Sequence, residues 1–429
     1  MKLPGQNSTD MSTREEIIIV GGGFGGVAAA KALRKSEYNV TIIDKKNHHL
    51  FQPLLYQVAT AALSPGDIAM PIRSIFSKYH NIRTILGEVT TIDKENKNLL
   101  LENGQVLPFD YLILAPGAVY HYFGNDEWAK HAPGLKTIDN ALDIREQILI
   151  SLEKADRIKD PEARKPYLRY VIIGAGPTGV ETAGAISEIA KRNMMRDFKN
   201  ISPGDTEIFL IEAGSNVLNG YPEDLSLRAK KDLEEMGINV MLNTPVTGVK
   251  ANGVQTEGHF FDTPNIVWAA GVTASPLIKT LDCETDKSGR AKVTPYLTIP
   301  GFDSIFIVGD AAYVEDEKGK PVPALAPAAL QMGRYVGRII KNGGDNRQTK
   351  PFRYIDKGTM ATIGRAKAVA DIRGLKFKGI IAWMIWSFIH IFFLIGFRNR
   401  FRVFAEWIWH YLTFKRGVRL ITGRKLKTD

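Results

Sequence analysis

The stretch Ile17-Ile18-Ile19-Val20-Gly21-Gly22-Gly23-Phe24-Gly25-Gly26 sets a short apolar run against a turn in which five of six positions are glycine. Val27 to Leu33 then carries strong helix formers, and a second apolar segment, Tyr38 to Ile43, ends in Asp44. Strand, glycine turn, helix and strand in that order open a βαβ unit. Within it Gly21 permits the tight bend, Gly23 lets the backbone approach a pyrophosphate, and Gly26 lets helix and strand pack closely, while the helix N-terminus aims amide hydrogens at the anion. Asp44, 23 residues after Gly21, is placed to hydrogen-bond a ribose diol. A glycine turn alone is weak evidence, but here strand, helix and acid all stand where the mechanism needs them.

The pattern recurs at Tyr170 to Ile173, Gly174 to Gly179, a helix from Val180 to about Arg192, and a strand Glu207 to Ile211 ending in Glu212. Two such turns, 153 residues apart, imply two nucleotide-binding domains. In the second, Gly174, Gly176 and Gly179 take the same three roles, and Glu212 repels a 2′-phosphate, favouring NADH over NADPH. Glu181, two residues past the last glycine, has two readings. Either it complements the helix dipole in the first turn, or it faces the nicotinamide end of a dinucleotide, where a carboxylate can polarise the hydride donor or handle protons.

Between the turns, Asn81 to Asp110 alternates in the manner of antiparallel strands, and Tyr111 to Ala115 reads as a buried strand. Later, Ile266 to Ala269 runs into Ala270-Gly271, and Ser304 to Val308 ends at Gly309-Asp310, where the acid is either a turn former or a carboxylate for a ribityl chain. A helix is expected over Ala324 to Ile340. The first domain is therefore expected to be split, with residues 1–120 and 275–350 around a second domain at 121–274, and a C-terminal region at 351–429.

With 429 residues, 44% hydrophobic and 24% charged, the chain has the composition of an ordinary globular protein of two or three domains. Cys283 is its single cysteine, which excludes an intramolecular disulfide, a redox-active cysteine pair and any cysteine-held cluster, and suits a reducing compartment. Met1 to Arg14 is polar, so no cleavable signal is expected. His48 and His49 read as surface or loop residues near the first turn, and no metal-ligand spacing occurs.

The net charge of +10 is uneven: from Lys341 onward there are 19 Lys and Arg against 5 Asp and Glu, so residues 1–340 carry −4. Only the tail is basic, and it holds Trp383, Trp386, Trp407 and Trp409, four of six tryptophans. Long apolar runs bracketed by charge argue against a nucleic-acid groove. Gly379 to Phe397 is 19 residues without Asp, Glu, Lys or Arg; as one helix it would be about 28 Å long, marginal for spanning a bilayer. Lys376 and Lys378 precede it and Arg398, Arg400 and Arg402 follow, so neither end is marked as outside, which suits a helix lying in the plane of an anionic leaflet. Val403 to Phe414 reads as an amphipathic continuation, with Arg402, Glu406, His410 and Thr413 on one stripe. The rival reading is a helical pair packed on the protein's own core or in a dimer interface.

From about Glu15 the chain resembles the two-dinucleotide-binding-domain flavoproteins, and within them the type II, non-proton-pumping NADH:quinone oxidoreductases. Besides the glycine turns, the resemblance rests on Asp44 to Ala59 (DKKNHHLFQPLLYQVA), on Gly309-Asp310, on Tyr354 to Arg365 (YIDKGTMATIGR) and on Leu394 to Arg400 (LIGFRNR). It implies an α/β fold of two Rossmann-type domains, the first split in sequence, plus a C-terminal amphipathic helical membrane-anchoring region. FAD would occupy the first domain, using Gly21, Gly23, Gly26, Asp44, Gly309 and Asp310. NADH would occupy the second, using Gly174, Gly176, Gly179, Glu181 and Glu212, with Gly271 close to the flavin–nicotinamide junction. The family's quinone-side segment carries two glutamines; here it reads ALAPAALQ from Ala324, so Pro327 replaces the first and Gln331 is left at the isoalloxazine edge.

The implied activity is hydride transfer from NADH to FAD, then two-electron reduction of a membrane quinone that enters between the tail helices. The implied setting is peripheral, on the cytoplasmic face of the inner (plasma) membrane, with an anionic membrane surface as partner and a homodimer as one assembly. One uncharged, marginal span offers no proton path, so no pumping is expected. Two rivals stay open: a soluble NADH-dependent ferredoxin or rubredoxin reductase, which leaves Gly379 to Phe397 unexplained, and a flavin-binding membrane adaptor. Disulfide reductases and sulfide:quinone oxidoreductases need paired cysteines, which Cys283 alone cannot supply.

Overall fold

The computed structural model describes residues 14–193, 197–344, 349–413 and 418–421. In chain order, the elements that place the site are β1 (Glu16–Val20), α1 (Phe24–Leu33), β2 (Asn39–Asp44), α2 (Leu55–Ala59), β3 (Ile82–Leu86), β4 (Tyr111–Leu114), α3 (Ile138–Arg157), β5 (Arg169–Ile173), α4 (Pro177–Glu188), β6 (Glu207–Ile211), β7 (Ile238–Met241), β8 (Asn265–Trp268), β9 (Phe302–Ile307), α5 (Ala326–Lys341), β10 (Thr359–Gly364), β11 (Lys367–Ile372), β12 (Leu375–Lys378), α6 (Gly379–Phe393) and α7 (Phe397–Thr413). They group into two units. The first takes the described residues of Met1–His49, Met70–Val119 and Val272–Ile355; the second takes those of Leu50–Ala69, Tyr120–Gly271 and Asp356–Asp429.

In the first unit a six-stranded sheet runs Thr298–Ile299, β9, β4, β1, β2, β3, parallel except for its outermost short strand. Ile17, Ile18 and Ile19 are all buried, as a central parallel strand covered on both faces requires. One expectation is corrected here: Ile82–Leu86 is the edge of this parallel sheet, and only Val89–Asp93, Asn98–Leu101 and Val106–Pro108 form an antiparallel set. Lying at the edge, Ile82–Leu86 is buried only at Ile82 and ends exposed at Leu86, so it lacks the continuous burial of a central parallel strand. Behind the sheet α1 lies on α5 with their backbones in contact, since a Cβ on Gly333 would fall 2.1 Å from the Gly25 carbonyl oxygen.

The second unit is built on a four-stranded parallel sheet in the order β7-β6-β5-β8. Helix α4 is pressed onto β10, where a Cβ on Gly184 would meet the Ile363 carbonyl oxygen at 1.7 Å. β10, β11 and β12 form an antiparallel meander, and α6 packs on it through Ala382 against Ala368 and Ala370. These contacts tie residues 356–413 to the second unit, where the sequence reading sets 351–429 apart. Leu50–Ala69 joins it as well, because α2 packs on α3 and α4.

The 19-residue apolar run is not one helix. α6 stops at Phe393, Leu394 turns extended, and Gly396 takes φ +90° before α7 begins. Fifteen residues span about 22 Å, well short of the ~30 Å hydrocarbon core. No helix among the described residues is long and apolar enough to cross a membrane. Of the expected stripe on α7, Arg402 and Glu406 are exposed, while the side chains of His410 and Thr413 lie outside the described residues.

Candidate functional site

In the first turn Gly21 sits at φ +102°, and a Cβ there would lie 2.2 Å from the Ala115 carbonyl oxygen. A Cβ on Gly26 would lie 1.9 Å from the oxygen of Gly21, whereas one on Gly23 would have nothing within 4 Å. The outer glycines are thus demanded by the protein's own backbone, and the middle one faces open space at the N-terminus of α1, where Gly23 caps the helix without a side chain. That is the setting for an anion held by backbone amides. Asp44 Oδ2 accepts the Gly22 amide at 2.5 Å and Oδ1 accepts that of Lys46 at 2.7 Å. Burial pushes the Asp44 pKa up, and these two amides pull it partly back.

His49 corrects its expected exposure. It is buried, with Nδ1 2.9 Å from the Gly22 carbonyl oxygen and its ring edge-on to Phe24. Burial lowers its pKa to about 4, so the ring is neutral and Nδ1–H donates to that carbonyl. The backbone on either side of Gly22 is therefore held, by Asp44 at its amide and by His49 at its carbonyl. Adjacency to His48 hid this, since strand geometry sends neighbouring side chains to opposite faces. Gly309, at φ +74°, opens the short 3-10 turn Gly309–Ala311 directly after β9, and Asp310 sits in that turn, half-buried.

The second turn repeats the first. Gly174 takes φ +100° with a Cβ position 2.7 Å from the Ala270 nitrogen, that of Gly179 lies 1.8 Å from the Gly174 oxygen, and Gly176 again faces open space. Glu212 Oε2 accepts the Ala175 amide at 2.7 Å and Oε1 that of Gly214 at 2.8 Å. Gly271, at φ +64°, lies three residues beyond the end of β8.

Glu181 is not in the first helical turn. α4 begins at Pro177, so Glu181 is its fifth residue, and the dipole-complement reading fails. Its carboxyl is buried between α4 and β10, with Oε1 3.4 Å from the Thr362 amide. Desolvation pushes its pKa up to about 8, offset in part by that amide and by the neighbouring Trp386 indole. Tyr221 is near enough for burial and the Glu181 charge to push its own pKa up. Desolvation therefore favours the protonated form of Glu181.

Trp386, buried, stacks on His390 at 4.1 Å and on Trp407 of α7 at 5.5 Å, and Trp407 Nε1 donates to Gln57 Oε1 at 2.8 Å. His390 Nδ1 lies 2.7 Å from the Trp386 carbonyl oxygen, and burial lowers its pKa to about 4. Sequence reasoning missed this aromatic layer, although the i, i+4 spacing of Trp386 and His390 was its signal. The Gln331 amide is committed to backbone, accepting from Ile355 N at 2.9 Å and donating to Ile355 O at 3.0 Å. Pro327 occupies the first turn of α5, where a missing N–H costs no helical hydrogen bond. Among the described residues no group of His, Cys, Asp and Glu could hold a metal ion.

Residues 15–333 match the pyridine nucleotide-disulphide oxidoreductase model, and residues 357–416 match that of the NDH2 C-terminal domain. The chain is 41% identical to the type II NADH:quinone oxidoreductase NdhA of Mycobacterium tuberculosis, over 99% of this chain and 93% of that one. It belongs to the type II NADH:quinone oxidoreductase family. The Haemophilus influenzae member is 30% identical over 83% of this chain and 87% of its own. In fold, the family member NDH2 of Plasmodium falciparum, solved in complex with NADH, superposes with a TM-score of 0.86 at 23% identity, covering 96% of this chain and 100% of that chain. The sulfide:quinone oxidoreductase of Aquifex aeolicus shares the fold at a TM-score of 0.71 and 17% identity, covering 93% and 95%. The disulphide chemistry in the broader family's name has no counterpart here, where Cys283 stands alone.

Proposed function

We propose that this chain oxidises NADH and reduces a membrane quinone, with FAD as its resident cofactor. The single observation that carries the reading is the pair of turns, each locked by its outer glycines and open over its middle one. Membership of the family implies FAD, and the residues fit it: Gly21, Gly23 and Gly26 leave a backbone cradle, Asp44 stands at the end of β2, and Gly309 with Asp310 at the end of β9. When bound, FAD supplies a hydride acceptor that can pass electrons on to a quinone. NADH falls to Gly174, Gly176, Gly179, Glu212 and Gly271. Glu212, at the end of β6, sets a carboxylate against any 2′-phosphate. Glu181, whose protonated form desolvation favours, is the candidate to serve the nicotinamide end or the protons of quinol formation. Gln331 acts by fixing the backbone at Ile355.

The tail supports in-plane association with an anionic leaflet. Ile380, Met384, Phe388 and Phe392 recur every four residues along α6, each more than half exposed, while Ala382 and Trp386 are buried on the other face. On α7, Phe401, Phe404 and Ile408 are exposed too, and Arg398, Arg400 and Arg402 stand beside them. A helix with one face packed and one apolar face bare, edged by arginines, suits a membrane surface and not a span.

The test is NADH oxidation by purified protein with a short-chain quinone or a small soluble iron–sulfur protein as acceptor. Fast quinone turnover supports the reading, and turnover with the protein acceptor alone would move it to the soluble reductases. Phe388→Ser tests the membrane face: it should weaken sedimentation with anionic vesicles while the flavin spectrum stays unchanged. Truncation at Lys376 is a poorer test, since it also strips Trp386 from the core and the Asp224 pairs with Lys376 and Lys378 from the surface.

A further inference from the structure

We infer that Phe123 forms an aromatic wall for the nicotinamide half of bound NADH, a proposal that rests on the NADH reading of the second turn. Three observations within the second unit lead to it. The first is direction along the sheet. With the order β7-β6-β5-β8, Glu212 at the end of β6 marks the adenosine ribose and the turn after β5 marks the pyrophosphate, so the remaining half of the dinucleotide extends over the end of β8. Gly271 follows that end.

The second is what stands there. The Phe123 ring approaches Gly271 so closely that a Cβ on the glycine would lie 2.7 Å from Phe123 Cζ. Phe123 is nevertheless 61% exposed, a large apolar side chain left bare beside Gly271. The third is that the protein holds it there against local preference. Phe123 takes φ +53°, a left-handed conformation unusual for a bulky residue. Its neighbours fix that backbone: the Tyr122 ring stacks on Trp268 at 4.8 Å with its hydroxyl donating to Ala132 O, Asn125 Nδ2 donates to the carbonyls of Tyr122 and Phe123, and the His121 amide donates to Gly271 O at 3.3 Å. Tyr122 is the anchor in the core, and Phe123 is the side chain the loop presents. An exposed aromatic face at the nicotinamide end suits a flat heteroaromatic ring.

The test uses the flavin-loaded enzyme with NADH as substrate and ADP-ribose, which lacks the nicotinamide, as a competitive inhibitor. Phe123→Ala should lower kcat/KM for NADH by roughly 3- to 10-fold, the range expected for one aromatic contact, and leave the inhibition constant of ADP-ribose unchanged. Phe123→Tyr should restore the wild-type value. Equal weakening of NADH and ADP-ribose would overturn the proposal by showing a general loss of the fold around the turn, and an unchanged kcat/KM in Phe123→Ala would overturn it directly. If the wild type neither oxidises NADH nor binds ADP-ribose, the NADH reading falls and the wall falls with it.

Discussion

Gly21 and Gly174 sit at φ +102° and +100°, Gly26 and Gly179 close on them within 1.9 and 1.8 Å of a would-be Cβ, and Asp44 and Glu212 each grip the amide that follows the first glycine. The two turns are one backbone device used twice. They part at the fifth residue of the helix each one starts. In α1 that residue is Ala28, buried where the helix runs against α5; in α4 it is Glu181, half-buried where the helix runs against β10. The second turn's helix thus carries Glu181, whose carboxyl is desolvated beside β10 and partnered by the Thr362 amide and the Trp386 indole. The same turn starts two helices whose packing partners, α5 and β10, give their fifth residues different surroundings.

The largest effects should come from the third glycines. Gly26→Ala and Gly179→Ala each push a methyl into a carbonyl oxygen, an overpacking that costs on the order of 1–3 kcal/mol or more. Flavin absorbance per chain should collapse in Gly26→Ala and persist in Gly179→Ala, whose loss should fall on NADH turnover. Loss of flavin in both would mean that the turns are not independent.

Next comes the residue that distinguishes them. With its pKa raised to about 8, Glu181 stays protonated in the fold while it ionises in the unfolded chain above about pH 4.5. Between those values the unfolded state binds fewer protons, so stability falls as pH rises. The stability of the wild type relative to Glu181→Gln, from chemical denaturation at each pH, should decline from pH 5 to 8; the difference isolates Glu181 from buried His49 and His390, whose lowered pKa values act in the opposite direction below about pH 6.5. A difference that does not vary with pH would mean that Glu181 is ionised in the fold and that the two helices differ less than their surroundings suggest.

A smaller shift is expected from Glu212→Ala. Removing the charge should narrow the NADH-over-NADPH preference in kcat/KM by about 1–2 kcal/mol, a factor of roughly 5 to 30. The smallest change is expected from Gly23→Ala and Gly176→Ala. With open space at both positions, the unfolding free energy of the ligand-free protein should stay within about 0.5 kcal/mol of wild type, while each variant loses affinity for the ligand of its own turn. A large destabilisation would show that these glycines serve the fold and not a ligand.

Much of this was legible in the chain. Residue spacing alone placed both turns, both acids and the return of a late strand to the first sheet, because the βαβ unit is local and its glycine and acid positions are dictated by backbone geometry. The parallel role of Ile82–Leu86 was hidden, since an edge strand lacks the continuous apolar run that marks a central parallel one. The break at Leu394–Gly396 was hidden as well, because hydropathy averages over a glycine that only its positive φ reveals as a stop.

What the sequence by itself determined is therefore the set of short-range decisions: where the strands bend, which carboxylates end them, and which tail carries charge and tryptophan together. Only the tertiary structure decided the burial of His49 and Glu181, the commitment of Gln331 to the Ile355 backbone, and the face that Phe123 presents beside Gly271. Each of those depends on a contact between residues distant in the chain, or on a backbone conformation that such contacts enforce. Desolvation and close approach, which set the chemistry, are properties of the packed surroundings and not of residue order.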